Sequence, residues 1–256
     1  MLPSIHNNNE KRHIPVDLLA YMIEKRMIRT FQTYLVLNFD CSGYIDKSKV
    51  TNHLISVLAV SRQTIQRHLS KCVELNWLGY DKKRKIYYIR SIDYIRKITG
   101  RTKRYSVILW RNNITELKSF AYASIITKLI TELRRHNAAQ LKGSANQRKV
   151  SSYVSVSQSF IGQKYKISQS QCAKLQTKST KDKFISVKHN SKKILDENGT
   201  PIKLNHKNRS LFERYRRINS KFNASATAFR IKNSEVYEIH PNSYISHLSK
   251  AKRKRV

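Results

Sequence analysis

Apolar side chains recur at helical spacing almost from the start of the chain. Leu18, Leu19, Met22 and Ile23 share one face of a helix expected over 16–26, opened by Pro15. Phe31, Tyr34, Leu35 and Leu37 continue the pattern over about 28–39. Gly43 breaks it with a turn, and Tyr44-Ile45 reads as a short strand. Helical periodicity resumes at Lys47 or Ser48, where Val50, Leu54, Val57 and Leu58 form one stripe. Ser61 then opens another helix, over 61–76, because its hydroxyl can accept from the orphan amides of the first turn. Val60 and Ile65 flank that cap as a hydrophobic staple. Ile65, Leu69, Cys72 and Val73 face inward, leaving Arg62, Gln63, Gln66, Arg67, Ser70 and Lys71 outside. Trp77-Leu78-Gly79-Tyr80-Asp81 and Ile86-Tyr87-Tyr88-Ile89-Arg90 then predict a hairpin whose tip is Lys82-Lys83-Arg84-Lys85.

The same order returns further on. A strand is expected at 105–110 and a long helix over about 115–137, with polar, small residues at 138–152 reading as a loop. Residues 160–165 predict a short helix. Ser168 with Gln171 gives the capping-box spacing for a polar helix to about 183, followed by strand-like Phe184-Ile185-Ser186-Val187. Ser61 to Trp77 is sixteen positions, and so is Ser168 to Phe184, so the two blocks align without a gap. One departure stands out: Gln176, Ser179 and Thr180 replace Leu69, Cys72 and Val73, which predicts weaker packing in the second copy. Its outer positions are Gln169, Ser170, Ala173, Lys174, Thr177 and Lys178. Strands at 227–232 and 235–239 are expected to close an enlarged second hairpin, with a turn at Asp196-Glu197-Asn198-Gly199.

Helix, turn, capped helix and basic-tipped hairpin resemble the winged helix-turn-helix superfamily. The resemblance runs over about 28–92, is carried by Leu54 through Leu69, and recurs within 115–240. It implies a mainly α fold with small β-hairpin wings (α+β), arranged as tandem winged helices. The organisation expected is a flexible leader at 1–14, a first domain at 15–100, a second with an enlarged basic wing at 101–245, and a basic tail at 246–256. The layout is also similar to that of plasmid and phage replication initiators.

Charge turns this architecture toward a function. The 256 residues carry 51 Lys plus Arg against 16 Asp plus Glu, a formal net charge of +35. Such an imbalance opposes compaction by self-repulsion, and its usual reason is a polyanionic partner. Residues 1–100 hold 17 basic and 8 acidic side chains, net +9. Residues 101–256 hold 34 and 8, net +26. Lys192, Lys193 and their neighbours load the second wing, and Lys252, Arg253, Lys254 and Arg255 load the tail. These read as phosphate contacts, as do Ser70, Lys71, Lys82–Lys85, Thr177 and Lys178. Arg62, Gln63, Gln66, Arg67, Gln169, Ser170 and Lys174 read as base contacts, since Arg and Gln match G and A edges bidentately in the major groove.

Other classes fit less well. No run approaches the ~18 apolar residues of a membrane span, and no signal-peptide core precedes residue 15, which predicts an intracellular protein without membrane partners. Cys41, Cys72 and Cys172 contain no CxxC, and the nine histidines show neither HxH nor HExxH spacing, so no metal or other cofactor is expected. GxGxxG and GxxxxGK[ST] phosphate loops are absent. Asp40 with Asp46, or Asp196 with Glu197, are the carboxylate pairs a two-metal nuclease would need, but no motif surrounds them, and no catalytic residue is assigned. The expectation is a non-catalytic protein that binds double-stranded DNA, as a transcriptional regulator or a replication initiator, and that can form a homodimer. A sequence-indifferent packaging protein and a metal-dependent DNA-processing enzyme are the rivals. RNA is not excluded, although a helix that enters the major groove favours B-form DNA.

Overall fold

A computed structural model describes residues 10–101, 105–140, 154–193, 195, 198–201, 228–232, 235–239 and 241–248. Strand β1 (Lys11–Pro15) leads into α1 (Val16–Glu24) and α2 (Ile28–Asp40). Then follow β2 (Tyr44–Asp46), α3 (Lys47–Leu58), α4 (Arg62–Glu74), β3 (Leu78–Asp81) and β4 (Ile86–Ile89). Helix α5 (Ile92–Ile98), capped by Ser91, ends the first half. Strand β5 (Ser106–Trp110) and a 3-10 turn over Arg111–Glu116 open the second, followed by α6 (Leu117–Gln140), β6 (Val154–Ser155), α7 (Gln158–Tyr165) and α8 (Gln169–Lys181). Strands β7 (Ile185–Lys188), β8 (Ser191–Lys193), β9 (Ala228–Lys232), β10 (Glu235–Ile239) and β11 (Ser243–Ser246) complete the mixed α+β fold.

The two halves repeat one design, and the repeat extends to backbone detail. The αL residues Ala59 and Asn76 return, 107 positions on, as Lys166 and Lys183. The bond from the Trp77 amide to the Cys72 carbonyl returns as Phe184 to Ser179. Three-stranded antiparallel sheets form in the orders β2-β4-β3 and β6-β11-β7. In each, an aromatic at the head of a strand meets a buried Phe of the first helix edge-on. Phe31 and Trp77 lie 5.7 Å apart, and Phe120 and Phe184 lie 5.8 Å apart. Edge-to-face pairs add ~0.5–1.5 kcal/mol beyond the area they bury.

The second copy does not pack weakly, contrary to its polar sequence. Gln176 and Ser179 are buried where Leu69 and Cys72 are buried in the first copy. Ser179 Oγ donates to the Ser119 carbonyl at 2.9 Å, just as Cys72 Sγ faces the Thr30 carbonyl at 3.6 Å. Gln176 Oε1 accepts from Gln158 Nε2 at 2.8 Å and from the Tyr244 hydroxyl at 2.7 Å. Buried polar groups cost little once each is hydrogen-bonded, so this network replaces apolar contact by satisfied polarity. Gly162, inside α7, leaves room for the turn into α8, since a Cβ there would stand 2.6 Å from the Ile167 carbonyl oxygen.

Three further sequence expectations need correction. Residues 11–14 are not part of a flexible leader, because they pair with β5 from Lys11↔Trp110 to Pro15↔Ser106. Residues 138–140 continue α6 rather than open a loop. The sheet expected to carry the second wing is closed by β11, which pairs with both β6 and β7. Strands β9 and β10 do pair with each other, but they build a separate sheet with β8.

One continuous core joins the halves. α1 packs on α6 and α2 on α6, and Ile14, Leu19, Leu35, Ile125 and Leu129 belong to the same buried cluster. Gln32 Nε2, itself buried, donates to the Ile114 carbonyl at 2.7 Å. Asp40, at the end of α2, accepts two hydrogen bonds from Arg111, at 2.5 and 2.6 Å, and lies 3.0 Å from His53 Nε2. Burial alone pushes the Asp40 carboxyl up, but the hydrogen bonds from His53 and Arg111 and the Arg111 charge outweigh it and hold the group below its ordinary value.

Two stability outcomes follow from these contacts. Gln176→Leu, which restores the residue type of position 69, destabilises the protein by ~1–3 kcal/mol because it strands the Tyr244 hydroxyl and the Gln158 amide; a urea unfolding series reads this, and a more stable variant would contradict it. Asp40→Asn leaves the Arg111 guanidinium buried without its counter-charge and costs ~3–5 kcal/mol at neutral pH. A carboxyl with a lowered folded pKa contributes fully above the ordinary carboxylate range and loses that contribution as pH falls through the folded value. The acid limb of a stability-versus-pH curve is therefore shallower in Asp40→Asn than in the parent.

Candidate nucleic-acid interface

Helices α4 and α8 each span 13 residues and are held at both ends in the same way. Ser61 Oγ accepts from the Thr64 amide, and Ser168 Oγ from the Gln171 amide, both at 3.3 Å. An αL residue fixes the turn before each helix (Ala59, Lys166) and another fixes the turn after it (Asn76, Lys183). Ile65, Leu69 and Cys72 are buried on α4, and Cys172, Leu175, Gln176 and Ser179 on α8.

What remains outside matches the residues expected from sequence. On α4, Arg62, Gln63, Gln66, Arg67 and Ser70 are exposed, while Lys71 is half-buried and pairs with Glu74. On α8, Gln169, Ser170, Ala173, Lys174 and Thr177 are exposed, and Lys178 is half-buried. At the shared spacing Arg62 corresponds to Gln169, Gln63 to Ser170, Arg67 to Lys174 and Ser70 to Thr177. Both helices thus present a cation at the second turn and short hydroxyl or amide donors beside it.

The tip of the β3-β4 hairpin is an ordered turn. Asp81 Oδ1 accepts from the Lys83 amide at 2.8 Å and the Arg84 amide at 3.1 Å, and Lys85 takes a positive φ of 52°. This turn points four exposed cations, Lys82, Lys83, Arg84 and Lys85, away from the body. Lys192 and Lys193 lie on β8, where Lys193 pairs with Glu235 at 2.7 Å and is therefore partly neutralised. Lys252, Arg253, Lys254 and Arg255 lie outside the described residues.

His68, on the inner side of α4, has a partner across the packing interface. Its Nδ1 lies 3.0 Å from Thr30 Oγ1 on α2. Burial, with help from the charges of Arg67 and Arg29, pushes its pKa below the ordinary histidine value. The imidazole therefore stays neutral at neutral pH and ties α4 to α2 without adding to the outward charge. Of the aromatics Trp77, Tyr87 and Tyr88, Trp77 is fully buried and Tyr87 packs on Tyr80 at 4.9 Å, whereas Tyr88 is exposed. Asp40 is committed to Arg111 and His53, and Asp46 pairs with Lys49, so these carboxylates do not converge. Among the described residues no cluster of three or more His, Cys, Asp or Glu is placed to hold a metal ion, and no helix is long and apolar enough to cross a membrane.

The chain matches no protein-family model, no curated protein and no solved structure.

The His68 environment is open to a direct check. Arg67→Ala raises the midpoint of its NMR titration toward ~6.5 without reaching it, because burial, the larger cause, is left in place. An unmoved midpoint would mean that Arg67 does not face the ring.

Proposed function

We propose that this protein is a non-catalytic, tandem winged-helix protein that binds double-stranded DNA through α4 and α8. The observation that carries the reading is the matched pair of capped helices. Each is fixed by the same buried stripe and the same turns, and each leaves a cationic, donor-rich face in water. An α-helix fits the major groove of B-DNA, where Arg and Gln side chains can read G and A edges. The Lys82–Lys85 tip and the other exposed cations grip phosphates, which supplies affinity but carries no sequence information. A net charge of +35 adds counterion release, so affinity falls steeply with salt. The biological role that fits this apparatus is binding at an operator or at a replication origin, as a regulator or an initiator.

Selection of bound sequences from a random duplex pool at physiological salt tests this reading, and an enriched motif is the expected result. Binding to every duplex without enrichment would instead indicate a packaging protein. Arg62→Ala with Arg67→Ala relaxes the preference at the bases these side chains contact, each at a cost of ~1–3 kcal/mol on the selected site. Lys83→Ala with Arg84→Ala weakens binding to all duplexes alike and lowers the salt slope by about two. If the α4 pair is removed and preference stays unchanged, the first unit is not the reader.

A further inference from the structure

The sheet β2-β4-β3 has a solvent face that the duplex-binding reading leaves unused. In the register of the sheet, Tyr44, Tyr88 and Gly79 form one row across the three strands. Tyr44 is 60% exposed and Tyr88 38% exposed, although each stands beside a packed neighbour on the opposite face. Gly79 makes room at the end of the row. A Cβ there would come within 3.7 Å of an Arg90 guanidinium nitrogen, which places the Arg90 side chain over the glycine and beside Tyr88. The same guanidinium lies 5.4 Å from the ring centre of Tyr94, which is also exposed, at 36%. Tyr44, Tyr88, Arg90 and Tyr94 therefore form a run of ring faces and edges interrupted by one cation. The two acids further along this face are engaged: Asp46 pairs with Lys49, and Asp81 accepts the amides of Lys83 and Arg84.

The second unit has no counterpart among its described residues. There the position of Tyr88 is held by Ile245 and that of Gly79 by Ser186, whose hydroxyl bonds to His247 Nε2 at 2.7 Å. In the second unit the two described positions of the row are aliphatic and polar, and the third falls on Tyr153, outside the described residues.

We infer that this face binds single-stranded nucleic acid, stacking unpaired bases on Tyr44 and Tyr88 while Arg90 and the nearby wing-tip cations hold the phosphates. Rings flanked by cations are what a strand with exposed base faces and a charged backbone recognises. An apolar protein partner would not match the cationic surround. The rings lie apart from the helical faces of α4 and α8 and share only the hairpin-tip cations with the duplex reading, so variants of the tyrosines are read independently of it.

The test uses the full chain and a labelled oligothymidylate of about 15 nucleotides, a length within the range one single-strand site covers, with oligouridylate and a random duplex as parallel probes. Tyr44→Ala with Tyr88→Ala is expected to weaken single-strand binding at least ~10-fold, the scale of losing one to two stacked bases, and to leave duplex affinity unchanged. Tyr44→Phe with Tyr88→Phe is expected to keep it. Stronger binding of oligothymidylate than of oligouridylate assigns the site to DNA, the reverse to RNA, and both support it. In the unmodified protein, photocrosslinking to an iodouridine-substituted strand is expected at Tyr44 or Tyr88, which guards against a variant that misfolds. The inference is overturned by alanine variants that bind the single strand normally, by equal losses in the alanine and phenylalanine variants, by a parallel loss of duplex binding, or by crosslinks confined to other segments.

Discussion

Three side chains of α4, Ile65, Leu69 and Cys72, are pinned beneath α2, and their burial decides which face of α4 stays in water. The stripe alone does not set the pose of the helix. Trp77 follows immediately behind an αL residue, Asn76, and drives its ring against Phe31 and Tyr34. An αL conformation costs a non-glycine residue ~1–2 kcal/mol, and it persists because full burial of Trp77 exceeds that cost. The Tyr34 hydroxyl then donates to the Arg90 carbonyl at 2.7 Å, which carries the constraint from helix to wing. Helix α4 and the β3-β4 hairpin are thereby fixed to one another through a single aromatic cluster.

The second unit meets the same constraint with different chemistry. Phe184 replaces Trp77 behind the αL residue Lys183, and Gln176 and Ser179 occupy the stripe. An amide deep in a small core is tolerable only if its atoms are satisfied. Here Tyr244, on the strand that closes the wing, reaches the Gln176 oxygen. The network makes α8 and β11 depend on each other, although more than 60 residues separate them. Apolar packing in the first unit is tolerant of small shifts, whereas hydrogen bonds in the second demand one register.

Local signals were legible in the sequence because their causes are local. Ser61 and Ser168 cap helices through contacts three residues away, and the sixteen-residue spacing from cap to aromatic reflects a fixed number of helical turns. Pairings between distant strands were not legible. Lys11-Arg12-His13 looks like a polar leader because its neighbour across the sheet, β5, lies almost 100 residues away. The four residues of β11 carry too little pattern to outbid the longer 228–239 hairpin as the closing strand. The expected exposure of the α4 and α8 side chains followed from helical periodicity, whereas the Tyr44–Tyr88 row depends on strand register, which a run of alternating residues does not fix by itself. Gln176 and Ser179 misled for the same reason: polarity in a sequence does not show whether a partner waits across the core.

The link between the halves bears on the proposed reading, in which α4 and α8 enter one duplex. Separate domains on a flexible tether would each bind weakly, with an effective concentration set by the tether. Here β1 pairs with β5, α1 packs on α6, and Asp40 grips Arg111, so the frame is common. A rigid frame fixes the spacing and phase between α4 and α8 before any ligand arrives. On the proposed reading, that geometry restricts the sites both helices can enter together, and specificity arises from spacing as well as from base edges. The same rigidity lowers the ordering cost of binding, because little conformational freedom remains to be lost. On that reading charge sets the affinity, whereas the shared core determines where on the duplex the two helices act at once.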